Sequence, residues 1–355
     1  MKKISIIGTV GIPASYGGFE TLVENLTKYS SDDLKYQVFC SSRHYDNKKS
    51  EHNNAKLTYL PFKANGLQSI IYDIFSMIYL IFSRPDVVLI LGVSGCVFLP
   101  IFKIFSKAKI ITNIDGMEWR RDKWKLPVQK FLKFSERVAV NSSHVVITDN
   151  EAIYEYVKKE YKKESVVIAY GGDHVLVNSH IQTPPIENDY YLSLCRIEPE
   201  NNVEMILESF KQSGFKIKFI GNWNNSCFGK RMLQIYKDVH NIELISPIYE
   251  LGELFLLRKN CKAYIHGHSA GGTNPSLVEA MHFGKPIFAF DCNFNRYSTE
   301  NLAYYFDSPA SLHSKVISFE LRSSDISGEM MKTIANRKYK WEIIAKMYEK
   351  CYQDL

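Results

Sequence analysis

The sequence lacks the cysteine spacing of a disulfide framework or a structural zinc site. Its seven cysteines are odd in number, widely scattered and never arranged as C-x-x-C. Small secreted domains and zinc knuckles both depend on regular cysteine spacing. We therefore predict a chain that folds in a reducing compartment, the cytoplasm.

The sequence also has no uninterrupted apolar run of the roughly 20 residues that cross a bilayer as a helix. Residues 67–105 are strongly apolar, but Asp73, Arg84 and Asp86 divide them into shorter pieces. The first apolar stretch ends early at glycine and proline, so we interpret it as a strand rather than a targeting signal. Apolar helices beside basic residues are, however, typical of a protein that rests on a membrane surface.

A dinucleotide fingerprint, G-x-G-x-x-G, is missing as well. The glycine-rich loop at residues 8–20 is too long for it and contains a proline, which disfavours a dinucleotide-dependent oxidoreductase. A metal site is not expected either. His266 and His268 lie two residues apart, but no further ligand stands at metal spacing.

The chain is long enough for two domains, because its 355 residues are 45% hydrophobic and 23% charged, an ordinary globular mixture. Short β-branched runs alternate with segments of helical periodicity, which predicts parallel, doubly wound sheets. We predict an α/β protein with two Rossmann-like, doubly wound parallel-sheet domains facing a cleft, at residues 1–175 and 176–335. A linker is expected around Pro184 and Pro185, and residues 336–355 are predicted to form a helix that packs back on the N-terminal domain.

Basic residues crowd one short segment of a chain whose net charge is +6. They favour an anionic partner such as phosphate, pyrophosphate or an acidic membrane surface. A solvated helix face explains the cluster equally well, and nucleic-acid binding has only this cluster in its favour. The cluster comprises Arg120, Arg121, Lys123, Lys125, Lys130, Lys133 and Arg137.

Two loops of the N-terminal half carry the residue types of a ligand site. Gly17 and Gly18 precede a predicted helix and offer backbone amides to an anion or a sugar hydroxyl, although a plain strand-to-helix turn is the alternative. Residues 113–124 follow a predicted strand and combine carboxylates, cations and indoles, which suit a sugar and a phosphate. An exposed, salt-bridged helix start is the alternative there, but it leaves Asp115 unexplained, since Asp115 precedes a glycine at a strand end.

Two loops of the C-terminal half also carry the residue types of a ligand site. Arg196 comes just past a strand, where a guanidinium binds a diphosphate in a bidentate manner; an interdomain salt bridge is the alternative. The turn at residues 271–274 precedes a helix whose free amides suit a phosphate. Glu279 is expected in that helix beneath the turn, with its carboxylate accepting hydrogen bonds from two ribose hydroxyls.

The sequence contains four distinctive motifs, in this order: GIPASYGGFE (11–20), NIDGMEW (113–119), RIEPENN (196–202) and YIHGHSAGGTNPSLVEAM (264–281). Together they resemble the retaining GT-B glycosyltransferases of family 4. More narrowly, they resemble a bacterial subgroup that makes capsule, O-antigen and cell-wall polysaccharides, whose members are commonly rhamnosyltransferases. The resemblance covers nearly the whole chain.

The resemblance implies that the C-terminal half holds a nucleotide-sugar donor and the N-terminal half a lipid-linked saccharide, such as an undecaprenyl-diphosphate-linked acceptor. Arg196 matches the family's diphosphate-binding arginine and Glu279 its ribose-binding acid, while Asp115 falls where many members have a histidine near the reacting sugar. These three are the expected catalytic residues. The further implied donor-binding residues are Gly17, Gly18, Asn201, Arg231, His268, Gly272, Thr273 and Asn274. The implied acceptor-binding residues are Tyr16, Glu20, Glu118, Trp119 and Arg120.

The sequence departs from the family pattern at two positions. Asn201 replaces the lysine that usually follows the arginine by five residues, so Arg231 or Lys230 is expected to meet the second phosphate charge. Gly271 replaces the first acid of the usual E-x7-E pair. The contact that this acid usually makes with donor-sugar hydroxyls must then be replaced, which is compatible with a deoxy sugar.

We therefore predict a retaining glycosyltransferase of bacterial surface-polysaccharide synthesis, with dTDP-rhamnose as the first candidate donor. It would act from the cytoplasm, peripherally attached to the inner membrane. Neither a metal nor another cofactor is expected, because no DxD pair stands at a strand end. Two alternatives remain: the same fold using a hexose or galactofuranose donor, and a sugar-nucleotide-binding protein without catalysis.

Overall fold

The computed structural model describes residues 1–14, 17–114, 116–120, 124–176, 189–322 and 324–355. The chain divides into two compact units, each with its own parallel sheet. Unit 1 comprises Met1–Ala169 and Trp341–Leu355, and unit 2 comprises Tyr170–Lys340. Both units therefore have the α/β architecture that the alternating pattern predicts.

Unit 1 is built on an eight-stranded sheet in the order β3-β4-β2-β1-β5-β6-β7-β8. Its central strand β5 has the sequence VVLIL and is buried along its whole length, as expected for a parallel strand covered on both faces. The short β3 pairs antiparallel with β4, and the other described pairings of this sheet are parallel. The strands are β1 Lys2–Ile7, β2 Leu34–Ser41, β3 Glu51–His52, β4 Ala55–Leu60, β5 Val87–Leu91, β6 Lys109–Asn113, β7 Val145–Thr148 and β8 Val166–Val167.

Five of the described α-helices of unit 1 each connect one strand of the sheet to the next along the chain. The strongly apolar segment 67–83 forms one of them and ends at Arg84, in left-handed conformation, before Pro85. A proline disfavours helical conformation in the residue before it, which accounts for that end point. The helices are α1 Gly18–Lys28, α2 Gln68–Ser83, α3 Leu99–Phe105, α4 Leu126–Ser142 and α5 Glu151–Tyr161.

Unit 2 is built on a six-stranded parallel sheet in the order β11-β10-β9-β12-β13-β14. Aromatic side chains, with Tyr191 of β9 packed among them, fill its core. The strands are β9 Tyr191–Leu194, β10 Ile217–Ile220, β11 Ile242–Ile245, β12 Ala263–His266, β13 Ile287–Phe290 and β14 Tyr304–Phe306. The helices are α6 Val203–Ser213, α7 Cys227–Tyr236, α8 Leu251–Asn260, α9 Pro275–Met281, α10 Asn293–Ser298, α11 Pro309–Glu320 and α12 Ser327–Lys338.

The C-terminal segment is two helices, so the prediction of one continuous helix over residues 336–355 is wrong. Residues 336–338 end α12, and α13 spans Trp341–Gln353. The break falls at Tyr339, the C-cap of α12, whose side chain is buried and whose hydroxyl donates to the carbonyl of Ser298 at 2.8 Å. Its own carbonyl accepts from the amide of Gly172 at 2.7 Å. The chain is thus fixed to unit 2 up to this point, and α13 then packs on α1 of unit 1.

Among the described residues, no helix has both the length and the apolar character that a bilayer crossing requires.

Candidate functional site

The sheet of unit 2 has a topological switch point between β9 and β12. From β9 the chain adds strands outward through β10 to β11, and from β12 it adds them in the opposite direction, through β13 to β14. Loops that leave the carboxyl ends of two such strands diverge, and ligands of open α/β sheets bind in the crevice between them. The loop after β9 contains Arg196 and Asn201, and the loop after β12 contains residues 267–274.

Hydrogen bonds tie these two loops to each other. The side chain of Asn201 is buried; its Nδ2 donates to the carbonyl of Arg196, and its Oδ1 lies 2.6 Å from Nδ1 of His268. Asn202 donates to the carbonyl of Gly267 at 2.8 Å, and Ser269 donates to that of Glu200 through both its amide and its hydroxyl. The loops therefore form one rigid wall of the crevice.

Gly267 is required for this close approach. A Cβ atom at this position would lie 2.1 Å from the carbonyl oxygen of Asn201, well inside van der Waals contact. Any larger residue would push the two loops apart. The glycine in the H-G-H sequence therefore has a packing function that the sequence analysis did not assign.

Arg196 lies at the mouth of this crevice with its side chain half exposed. Its Nη2 is 3.5 Å from Oε1 of Glu200, four residues further along the chain. A partly exposed pair of this kind is weak and gives way readily to a better anion. Arg196 is thus available to a ligand that carries negative charge, and its predicted contact with a diphosphate remains a prediction.

Glu279 lies on α9 and is held by two basic side chains. Its Oε2 is 2.5 Å from Nη2 of Arg258, and its Oε1 is 3.4 Å from Nε2 of His174. Burial by itself would raise the pKa of Glu279, but the positive charge of Arg258, aided by His174, brings that pKa below its ordinary value. The carboxylate is ionised and oriented, while 13% of the side chain stays exposed.

Arg258 and His174 are site residues that the sequence analysis missed. Arg258 is in the last turn of α8 and is only 5% exposed. In the sequence it looks like a basic residue that interacts with the helix C-terminus. His174 follows Gly172, where an added Cβ would lie 2.8 Å from the backbone of Val278. The G-G-D-H sequence was the available signal, since close packing of the glycine against α9 brings His174 to Glu279.

The turn at residues 271–274 leads directly into α9. The side chain of Asn274 caps the helix by accepting from the amide of Ser276 at 3.0 Å, and Pro275 occupies the first helical position. Thr273 is buried, while Gly272 is partly exposed. Asn274 thus has a local role in starting the helix, in addition to any role in ligand binding.

The two cations expected to replace the missing lysine lie on α7. Arg231 is 60% exposed and its Nη2 is 3.4 Å from Oε2 of Glu204 on α6. Lys230 is also exposed. Arg231 is therefore engaged in a surface ion pair, and its predicted role at the second phosphate remains a prediction.

His266 is the last residue of β12, and His268 lies two residues beyond it. The two side chains differ in their hydrogen-bond partners. Burial, reinforced by nearby His268, lowers the pKa of His266 well below the ordinary value, and its Nε2 has no hydrogen-bond partner. His268 contacts Asn201 and its carbonyl accepts from Asn295 at 2.9 Å. Within the described parts of the chain, no three His, Cys, Asp or Glu side chains are grouped so as to hold a metal ion.

In unit 1, Glu20 organises the loop that follows β1. It is buried, and its Oε1 accepts from the hydroxyl of Thr9 at 3.0 Å and from the amide of Val10 at 2.8 Å. Gly17 is the residue before α1 and Gly18 begins that helix. The predicted contact of Glu20 with an acceptor remains a prediction, and Tyr16 lies outside the described residues.

Glu118, Trp119 and Arg120 form a short helical turn after β6. Oε1 of Glu118 accepts from Nε1 of Trp124 at 3.0 Å, and the guanidinium of Arg120 lies over the Trp119 ring at 5.0 Å. Their predicted role in acceptor binding is not tested by these contacts. Asp115, the third expected catalytic residue, lies outside the described residues.

Two family models match the chain. Residues 1–173 match a domain of unknown function, DUF1972, and residues 178–341 match the glycosyl transferases group 1 model. The second match contains the loops after β9 and β12, with Arg196 and Glu279. No curated protein matches the chain in sequence.

Solved structures resemble the chain over its whole length. A sucrose-phosphate synthase (tll1590) from Thermosynechococcus elongatus covers 100% of this chain and 99% of its own, with 12% identity and a TM-score of 0.81. Anabaena Alr3699/HepE, in complex with UDP-glucose, covers 100% of both chains, with 12% identity and a TM-score of 0.74. The apo lipopolysaccharide outer core galactosyltransferase WaaB covers 99% of this chain and 100% of its own, with 16% identity and a TM-score of 0.66.

At such low identities these likenesses establish the fold alone, and the family match covers the part of the chain that contains the crevice. The chain therefore has the two-domain GT-B fold, and its residues 178–341 match the glycosyl transferases group 1 model.

Proposed function

We propose that this protein is a glycosyltransferase that binds a nucleotide-sugar donor in the crevice between the loops after β9 and β12. The observation that carries the proposal is the pairing of an available arginine, Arg196, with an ionised and oriented carboxylate, Glu279, on two elements at the switch point of one sheet. A nucleoside diphosphate presents the complementary groups, a charged diphosphate and a ribose diol. The structure of HepE with UDP-glucose supports a ligand of this class.

The proposed chemistry follows from the negative charge that develops on the diphosphate as it leaves the sugar. The bond between the anomeric carbon and the diphosphate oxygen breaks, and a bond to an acceptor hydroxyl forms. Arg196 stabilises the charge on the departing diphosphate, whose phosphate oxygen takes up the proton from the acceptor hydroxyl. Glu279 holds the ribose and thereby fixes the nucleotide, with Arg258 keeping its carboxylate ionised. We therefore propose a transferase that retains the anomeric configuration.

The finer assignment rests on the sequence motifs. We propose L-rhamnose from dTDP-rhamnose as the first donor to test, a lipid-diphosphate-linked saccharide as the acceptor, and synthesis of a bacterial surface polysaccharide as the process. Gly271, which replaces an acid that usually contacts donor-sugar hydroxyls, supports a deoxy sugar. Asp115 is proposed to orient the acceptor or to stabilise positive charge at the anomeric carbon.

The test is to incubate the purified protein with lipid-linked acceptor and a panel of dTDP-, UDP- and GDP-sugars, and to identify the diphosphate released. Release of dTDP from dTDP-rhamnose, with a product one deoxyhexose larger and of retained configuration, is expected. Release from a hexose or galactofuranose donor instead would keep the transferase assignment but overturn the choice of donor. Full transferase activity in an Asp115→Asn variant would overturn the role of that residue.

A second candidate function is a sugar-nucleotide-binding protein without catalysis. Gly271 and Asn201, which stand where related enzymes carry an acid and a lysine, favour it. Such a protein would bind a nucleoside diphosphate in calorimetry and yet release none from any donor in the presence of acceptor. Turnover with any member of the panel would exclude it.

A further inference from the structure

One side of α2 is exposed and almost entirely apolar. Its exposed residues recur at intervals of three and four, so they form a single stripe along the helix. The opposite side is buried, with Tyr72, Met77 and Leu80 in the core of unit 1 beside the polar residues Asp73 and Ser76. A surface helix of a water-soluble domain ordinarily has a polar outer side. The stripe consists of Leu67, Ile71, Phe75, Ile78 and Phe82, and Phe82 is 80% exposed.

The apolar surface continues over α3 and α4. In the fold α3 packs against both α2 and α4, and Lys103 of α3 donates to the carbonyl of Ser142 at the end of α4 at 3.0 Å. The three helices therefore form one continuous surface, which we call the α2–α4 surface. Its exposed apolar side chains on α3 and α4 include Ile101, Ile104, Phe105, Leu126 and Phe134.

Charge is segregated across this surface. The three helices, each of which is described in full, contain two acids, Asp73 and Glu136, and both are buried. On α4 the exposed residues Lys130 and Arg137 alternate with apolar neighbours on one side of the helix. The exposed basic residues on or directly beside the three helices are Arg84, Lys103, Lys107, Lys125, Lys130 and Arg137.

We propose that the α2–α4 surface docks on a lipid bilayer that contains anionic headgroups. The apolar side chains enter the interface between headgroups and acyl chains, and the basic residues bind the lipid phosphates. Neighbouring exposed apolar side chains of this kind mark an interaction site, and an apolar partner with negative charge complements both the apolar and the basic residues. A second copy of the chain would bring the same basic residues face to face, which is unfavourable. The inference rests on the proposed function in one respect, since an acceptor carried by a lipid supplies the reason to dock.

The experiment measures binding of the full chain to vesicles by co-sedimentation. Vesicles of phosphatidylethanolamine and phosphatidylglycerol should retain the protein, vesicles of phosphatidylcholine alone should not, and added salt should weaken retention because headgroup attraction is screened. Equal retention on both vesicle types, or on neither, would overturn the proposal. So would a stable dimer in sedimentation analysis that dissociates on substitution of Phe82, because it would make the surface an interface between copies.

Two pairs of variants test the surface with matched controls. Phe82→Ser, with 80% of the side chain exposed, should reduce vesicle partitioning several-fold, whereas Leu321→Ser, at 82% exposed in unit 2, should not. The double variant Lys130→Glu and Arg137→Glu should reduce partitioning about tenfold or more, since each basic residue near the surface contributes to binding. Lys216→Glu with Lys237→Glu, at exposed positions of unit 2, is its control.

Binding of UDP and dTDP, measured by calorimetry, separates this proposal from the proposed function. The surface variants should bind the nucleotide as the wild type does, because the crevice lies in unit 2. If vesicle binding follows the expected pattern while no donor is turned over, the transferase proposal fails and the docking surface stands. If transfer to a water-soluble acceptor proceeds while the surface variants still bind vesicles normally, the docking proposal fails alone.

Discussion

Glu279 and Arg258 form an ion pair with 2.5 Å between Oε2 and Nη2, and both side chains are largely buried. Arg258 is on α8 and Glu279 on α9, so their meeting depends on how the two helices pack. His174, from the turn before the second sheet, completes the group at 3.4 Å. The pair fixes the charge and orientation of the Glu279 carboxylate, which we propose binds a ribose.

Removing Arg258 should destabilise the protein strongly. Arg258→Met leaves the Glu279 carboxylate buried without its main counter-charge, a change that costs about 3–5 kcal/mol in buried pairs. Thermal or urea denaturation gives the free energy of unfolding. The control is Arg337→Met, which breaks an ion pair of the same 2.5 Å length to Glu300 at a position 61% exposed. Its effect should be within about 1 kcal/mol; equal effects of the two variants would contradict the buried role of Arg258.

The same pair predicts a response to acid. Because the folded-state pKa of Glu279 is lowered from 4.5, its ionisation stabilises the fold fully above pH 4.5 and less as the pH falls through the lower, folded value. A Glu279→Gln variant should therefore lose stability relative to wild type near neutral pH, and the difference should shrink in acid. Denaturation curves across that range check this prediction, and a difference that does not change with pH would refute it.

Arg196 should matter for ligand binding and little for folding. Arg196→Ala removes a half-exposed side chain from a weak pair, so the melting temperature should hardly change. Affinity for UDP or dTDP should fall by about 1.5–3 kcal/mol, the contribution of hydrogen bonds to a charged group. Isothermal titration calorimetry measures this nucleotide affinity, with Arg337→Ala as the control. Unchanged nucleotide affinity in the Arg196 variant would place the diphosphate elsewhere.

Asn201 should not tolerate the lysine that related enzymes carry there. Asn201→Lys would remove the bonds to the carbonyl of Arg196 and to His268, and would place an ammonium group at a position 3% exposed. A loss of about 2–5 kcal/mol in the free energy of unfolding is expected. Asn224→Lys, on the exposed surface of the same unit, is the control. A variant with wild-type stability and tighter nucleotide binding would show that the two loops can open around the lysine.

Asp73 should make unit 1 less stable as the pH rises. Burial raises its pKa from 3.8 to about 7, opposed in part by the amide of Gly95, which donates to Oδ2. The folded state then holds a proton that the unfolded state has lost, so unfolding becomes easier between these two pH values, by up to about 1.4 kcal/mol per pH unit.

Asp73→Asn removes this titration while keeping an acceptor for Gly95. The variant should match wild type near pH 4 and exceed it in stability at pH 8, as measured by denaturant titration at each pH. Asp238→Asn, at an exposed position, is the control and should not change the slope of stability against pH. A wild-type slope in the Asp73 variant would contradict this account.

Most of the regular elements could be predicted from local patterns. The run VVLIL of β5 is buried throughout, as its continuous apolar character indicates, and the glycine and proline positions mark real loop starts. The tail was predicted incorrectly because its amphipathic period continues through Tyr339. The helix ends at Tyr339, which is held by long-range hydrogen bonds to Ser298 and Gly172 that the local pattern does not encode.

The candidate site was predicted in part. Arg196 and Glu279 stand out in the sequence because each directly follows a strand or a turn of distinctive composition. Arg258 could not be found in this way, since LLRKN is an ordinary end of an amphipathic helix and its partner lies 21 residues further on. The role of Asn201 was also hidden, because an asparagine in a loop gives no sign of which carbonyl and which histidine it will meet.

The sequence by itself determined the α/β alternation, the two-domain organisation and the loops in which charged residues follow strands, since these depend on periodicity and turn chemistry over short distances. The tertiary structure alone decided that Arg258 and His174 hold Glu279, that Asn201 joins two loops, and that α3 packs against both α2 and α4, three helices with exposed apolar residues. These relationships arise from packing between segments far apart in the chain, whose contacts no local pattern encodes.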